Sequence, residues 1–149
     1  MRRSRKVSFK FQPILNLRKH HEDHCRTRFK EEQTKLQHID GELSMLKARK
    51  ERRETEAAKM SVGTISAESL ISASRYLVYL RQKQEETKVR RTLQAGEVEA
   101  ARTTLVQAQK ERKVMEKLKE KMAREEMEEL LRREQKNLDE IAINRIYHS

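Results

Sequence analysis

From Phe11 onward, one series of positions recurs at alternating steps of four and three: Phe11, Leu15, Arg18, Glu22, Cys25, Phe29, Glu32, Leu36, Ile39, Leu43 and Leu46. All but Arg18, Glu22 and Glu32 are apolar. That spacing keeps one helix face turned toward a partner helix and predicts the seam of a coiled coil. A second series opens with Leu70, Ala73, Leu77 and Leu80 and resumes at Val98, Ala101, Leu105, Ala108 and Met115. Between Leu80 and Val98 the register runs through Gln84, Thr87, Arg91 and Gln94, so the seam is poor there. The two series are not repeats of one another.

Few residues interrupt these patterns. Pro13 is the only proline and sits where a first helical turn accepts it. Gly41 and Gly96 are weak helix formers but tolerable ones, at roughly 1 kcal/mol each relative to Ala. The break falls at Ser61-Val62-Gly63-Thr64-Ile65-Ser66. Gly63 suits a left-handed C-terminal position, Ser66 suits an N-cap, and Ile65 with Leu70 is spaced as a hydrophobic staple. The expected fold class is all-α: a long antiparallel two-helix coiled-coil hairpin, the second helix longer than the first. Helix one is expected over about 12–60, the turn over about 61–66 and helix two over about 67–145. Residues 1–8 read as a flexible basic arm and 9–149 as a single coiled-coil hairpin.

A turn centred near residue 63 sets residue i against about residue 127 − i. Leu46 then faces Leu80, Phe29 faces Val98, Cys25 faces Ala101 and Phe11 faces Met115. At 1.5 Å per residue, helix one is roughly 70 Å long and helix two roughly 120 Å. Pairing ends opposite about residue 116, and residues from about 120 to 145 project as an overhang of roughly 40 Å. The overhang carries Met122, Met127, Leu130, Leu131, Leu138, Ile141, Ile143 and Ile146. Burying such side chains is worth about 1.5–3 kcal/mol each, and a lone helix is marginal in water. Glu120–Arg124, Glu128–Arg132 and Glu129–Arg133 each place an acid four residues before a base, which supports the helix slightly. This end is a docking surface for another protein, or else a frayed or self-associating one.

Composition narrows the classes. Charged residues make up 40% of the 149, apolar residues 35% and aromatics 4%. Turn residues and β-branched runs are too few for a sheet domain, and the apolar content is too low to line a deep catalytic pocket. No enzyme, cofactor or resident metal is expected. The formal net charge is +11. Ten of the basic residues but only two acidic ones fall within residues 1–30, leaving the remainder nearly neutral. A basic start favours an anionic partner or is simply a solvated tail. The lone Cys25 excludes an internal disulfide. No apolar run approaches a membrane span, and no signal peptide is expected.

Three segments carry a resemblance. Phe9-Lys10-Phe11-Gln12-Pro13-Ile14-Leu15-Asn16-Leu17-Arg18, Glu111-Arg112-Lys113-Val114-Met115-Glu116-Lys117-Leu118 and Glu134-Gln135-Lys136-Asn137-Leu138-Asp139-Glu140-Ile141-Ala142 resemble, in order and spacing, the flagellar FliJ family. These are small coiled-coil stalk proteins of the bacterial flagellar export apparatus. The resemblance implies a stalk that inserts the free ends of its helices into the hexameric export ATPase. It also implies contact with the cytoplasmic domain of the export gate and with export chaperones, and a need for the protein in flagellum assembly and motility. A cytoplasmic location, peripheral on the membrane face at the flagellar base, follows from the same resemblance.

The ATPase-facing end is then expected at Phe9, Phe11, Leu15 and Arg18 with Leu138, Ile141 and Arg145. Tyr76, Leu77, Tyr79 and Leu80 near the hairpin are a candidate gate contact, since Tyr is enriched at interfaces, or they merely widen the seam. His20/His24 and His21/Cys25 are spaced for a shared helix face, but the two pairs point about 100° apart and Cys25 lies on the seam. Solvated histidines beside a core cysteine are the expectation. Two alternatives stand. One is the equivalent stalk of a virulence-type secretion system. The other is a nucleic-acid-binding coiled coil using Arg2-Arg3-Ser4-Arg5-Lys6, although Pro13 separates that arm from the seam and no long basic face follows it.

Overall fold

The computed structural model describes residues 8–60, 63 and 66–148. Two helices, α1 (Gln12–Met60) and α2 (Ala67–Tyr147), pack against each other as a hairpin, 49 residues against 81. The expected fold class is the one found, and among the described residues there is no strand. The basic arm before Ser8, the turn residues Ser61, Val62, Thr64 and Ile65, and with Ile65 the expected staple, lie outside the described residues.

Local chemistry sets the helix ends. Pro13 occupies the second position of α1, where no intrahelical N–H is required. The first ladder bond there runs from Leu15 N–H to the Phe11 carbonyl at 3.0 Å. Ser66 caps α2: its Oγ accepts from the Ser69 N–H at 3.3 Å, and the two hydroxyls meet at 2.9 Å. Glu68 in the first turn of α2 and Arg145 in the last complement the helix dipole. Gly63 departs from expectation. No glycine among the described residues has a positive φ, and the Gly63 N–H instead reaches the Met60 carbonyl at 3.3 Å. A tight i to i−3 closure does for the end of α1 what a left-handed residue would have done.

Contacts group the chain into two units: the chain up to His24 together with Val106 onward, and Cys25–Leu105. In the second unit Cys25, Ile39, Leu80, Val98 and Ala101 are buried, and Phe29, Leu36, Leu43, Leu46 and Leu77 are half-buried. The polar stretch of the seam is accommodated rather than filled. Thr87 is buried with its hydroxyl donating to the Lys83 carbonyl at 2.7 Å, and the Gln94 amide donates to the Glu32 carboxylate at 2.6 Å and to the Glu32 carbonyl at 3.0 Å. Leu70, expected on the seam, is exposed, because the packed seam begins only at Ala73.

In the first unit Leu15 and Ala108 are each 1% exposed, with Phe11 and Met115 half-buried. Interhelical pairs lie past the strict 127 − i register. Arg18 meets Glu111 at 2.6 Å, Glu22 meets Arg112, and Lys119 donates to Gln12 at 2.9 Å. Helical side chains lean toward their own N-terminus. In an antiparallel pair both leans add, so the partners of Arg18, Glu22 and Gln12 sit later in α2 than their Cα levels suggest.

Candidate functional site

The last residue of α2 with partial cover is Met122; from Ala123 to His148 every residue is exposed. Met127, Leu130, Leu131, Leu138, Ile141, Ile143, Ile146 and Tyr147 are all among the exposed large apolar side chains. This bare stretch is roughly 40 Å of helix. Met127, Leu131, Glu134, Leu138, Ile141 and Arg145 step by four and three along it, which is again a coiled-coil row. At 100° per residue the centre of this row lies about a third of a turn round α2 from Ala108, Met115 and Met122. It is a separate face, not a prolongation of the seam. Of the three expected acid–base pairs here only Glu129–Arg133 closes, at 2.6 Å; Lys121–Glu125 adds one at 3.8 Å. Among the described residues Glu120–Arg124 and Glu128–Arg132 form no ion pair. An exposed pair gains little by closing, because solvent screens both charges.

At the base of the bare stretch, Phe9 and Phe11 meet edge to face, with centroids 5.8 Å apart. The Lys119 ammonium lies 6.0 Å from the Phe9 ring. Both aromatics are half-buried, Leu15 is sealed inside, and Arg18 is tied to Glu111. Leu138 and Ile141 lie some 28 and 33 Å further along α2 than Lys119. The residues expected to form one ATPase-facing end therefore fall into two patches. Phe9, Phe11 and Arg18 edge the paired coil, Leu138, Ile141 and Arg145 lie on the bare row, and Leu15 serves the core.

Near the hairpin, Tyr76 and Tyr79 stack at 6.2 Å with planes 28° apart. The Arg53 guanidinium lies 4.7 Å from the Tyr76 ring, and the Lys83 ammonium 5.8 Å from the Tyr79 ring. Tyr79 is exposed, Tyr76 and Leu77 are half-buried and Leu80 is 1% exposed. Only the tyrosine faces can meet a partner. Met60, Leu70, Ile71 and Val78 add exposed apolar surface in the same unit. Sequence reading passed over most of it, although consecutive apolar residues such as Leu70-Ile71 cannot both lie on one seam.

Polar pairs within the coil were half legible. The polar members of the first series, Arg18, Glu22 and Glu32, are visible from spacing, but their partners Glu111, Arg112 and Gln94 are not. Glu22 is 3% exposed, and Arg112 also reaches Glu116 at 2.7 Å. Hydrogen bonds that the Arg112 guanidinium donates to Glu22 and then to Glu116 hold it above its ordinary pKa. The Glu32 carboxyl is held below its ordinary range, chiefly by the Lys35 ammonium and then by the Gln94 amide; Lys35 is raised in return. A shallow groove of about 590 Å³ beside this pair is lined by Thr34, Lys35, His38, Ile39, Leu93 and Gln94 among others. His20, His21 and His24 are exposed and Cys25 is buried. Among the described residues no three His, Cys, Asp or Glu side chains gather as a metal site. Nor is any described helix long and apolar enough to cross a membrane.

Comparison with known proteins adds two findings. The family model described as "Flagellar FliJ protein" matches residues 7–149. A search of curated proteins returns no match. Among solved structures the chain is similar to a protein of Chlamydia trachomatis described as a YscO homologue, with a TM-score of 0.56 and 21% identity. That likeness covers 91% of this chain and 93% of the other. At such identity it speaks for the two-helix fold.

Proposed function

The chain belongs to the FliJ family of flagellar proteins, and on that premise we propose that it is a non-enzymatic stalk of the flagellar export apparatus. It acts by contact. The bare end of α2, with Phe9 and Phe11 at its base, docks in the hexameric export ATPase. The Tyr76–Tyr79 face is the candidate contact for the cytoplasmic domain of the export gate, and export chaperones are further partners. Flagellum assembly and motility would depend on these contacts, made on the cytoplasmic face of the membrane at the flagellar base.

One observation carries the reading. From Ala123 to Tyr147 a continuous helix exposes a row of large apolar side chains to water. Such surface is costly to leave uncovered, and a hydrophobic rim inside a ring is the kind of surface that covers it. The test is capture of the hexameric ATPase by the full chain, with hydrolysis measured alongside. Deletion of residues 120–149 should abolish capture and stimulation; unchanged binding and unchanged hydrolysis would remove the assignment. Tyr79→Ala should weaken gate binding with helicity preserved, whereas equal loss of helicity would make the tyrosines seam residues only. The family match favours the flagellar system over a virulence-type one. The nucleic-acid alternative rests on Arg2, Arg3, Arg5 and Lys6, which lie outside the described residues.

A further inference from the structure

We propose that the outward face of α2 next to the hairpin rests on the surface of an anionic lipid bilayer. Ile71, Arg75, Val78, Tyr79 and Gln82 fall within an arc of roughly 100° on α2. That arc lies nearly opposite Ala73, Leu77 and Leu80, the covered positions of the same stretch. Ile71, Val78 and Tyr79 are each more than half exposed. Between Leu70 and Leu80 the helix is therefore apolar on two opposite sides, and α1 covers only one of them. Tyr79 gives one ring face to Tyr76 and keeps its exposed side toward solvent.

Charge identifies what covers the other side. Between Glu68 and Glu85 there is no acidic residue, while Arg75, Arg81 and Lys83 all lie there. Arg75 and Arg81 form no ion pair among the described residues. The wider hairpin end, residues 47–83, holds nine basic and four acidic residues, a surplus of five. Residues 31–149 as a whole hold 25 basic and 22 acidic ones, a surplus of three, so the rest of that span is slightly acidic. Cations set among exposed apolar and tyrosine side chains are the makeup of a helix lying in a bilayer interface. Ile71 and Val78 would enter the boundary of the acyl chains, and the arginine stems would follow them with their guanidinium groups left among the phosphates. Tyr79 suits the same level, with its ring in the apolar layer and its hydroxyl wet. A partner helix would have to read the four-three row Ile71, Arg75, Val78 and Gln82, in which every second member is polar. A nucleic acid would satisfy Arg75 and Arg81 but set Ile71 and Val78 against phosphates. No described helix is long and apolar enough to cross a membrane, so the contact is one of surface only.

The test uses the full chain and vesicles, with neither ATPase nor gate present, so it stands apart from those contacts. The chain should co-sediment with phosphatidylcholine vesicles containing about a third phosphatidylglycerol but not with phosphatidylcholine alone, and added salt should release it. Arg75→Gln and Arg81→Gln should each weaken the partition roughly fivefold. Val78→Asp should weaken it on the order of tenfold, with helicity unchanged. The chain has no tryptophan, so Val78→Trp supplies a single fluorophore. Its emission should shift to the blue on the anionic vesicles, whereas that of Leu131→Trp, on the bare end of α2, should stay where it is. A chain that ignores anionic vesicles overturns the proposal. So does binding indifferent to Val78→Asp, which would be attraction by charge alone, or a blue shift at Leu131→Trp with none at Val78→Trp. Duplex DNA that displaces the vesicles and binds Val78→Asp as well as the wild type would overturn it too, by assigning the cations to a nucleic acid.

Discussion

Glu22 shows what single residues do in this coil. It is almost wholly buried against Arg112, in a unit whose sealed apolar residues are Leu15 and Ala108. Removing Glu22 leaves the Arg112 guanidinium to Glu116 alone, whereas replacing both Glu22 and Arg112 with apolar residues removes the desolvation cost of the pair as well. Glu22→Ala should therefore lower the melting temperature, and Glu22→Leu with Arg112→Leu should recover most or all of the loss in thermal melts. Glu32 yields a pH prediction. Its carboxyl is held below the ordinary value of 4.5 by Lys35 and Gln94, so its stabilisation is present in full above that value and is lost as pH falls through the lower folded value. The stability gap between the wild type and Glu32→Gln should close on acidification below pH 4.5. The glycines point the other way. A Cβ at Gly41 or Gly96 meets nothing within 4 Å, and neither residue has a positive φ. Ala at either site should add about 0.4–1 kcal/mol in denaturant unfolding, from helix propensity and a less mobile unfolded chain.

Each helix is unevenly supported along its length. Leu80 and Val98 anchor a stretch whose seam positions between them are Gln84, Thr87, Arg91 and Gln94. Leu80→Ala should cost about 2–5 kcal/mol, the usual range for emptying a sealed leucine site. Hydrogen exchange should be slowest around Leu80 and Val98, faster over 84–94, and fastest beyond Met122, where nothing packs on the helix. The seam itself was legible in the sequence. Every position of the first three-four series, Phe11 to Leu46, is buried or half-buried, because one apolar row on a helix has only one way to leave water. Ser66 was equally readable as a cap, since few residue types accept a hydrogen bond there. The register was not, because side-chain lean moved Arg18 and Glu22 onto Glu111 and Arg112. Nor was the conformation of Gly63, which a composition-based rule places in the left-handed region.

At the scale of the molecule, the candidate site was legible as a mismatch in helix length and illegible in its azimuth. Spacing alone showed that α2 outruns α1. The rotation of the Met127–Arg145 row away from the seam emerges only once Met115 and Met122 are seen to be the covered face. The same arrangement separates binding from folding. Leu138→Asp with Ile141→Asp alters side chains that contribute nothing to the packed coil, so it should leave the melting temperature unchanged and eliminate capture of the ATPase. A fall in stability of the size expected for Leu80→Ala would mean that the row is internal packing after all. The long uncovered stretch has one more consequence. A protease cuts a helix only after it opens locally, and opening is easiest where no neighbour resists it. Arg124, Arg132, Arg133, Lys136 and Arg145 all lie in that stretch. Trypsin should therefore trim the chain back toward Met122 well before it nicks the paired helices. Copies with an occupied tip would outlast idle ones, so turnover would match the amount of this protein to the number of places able to receive it.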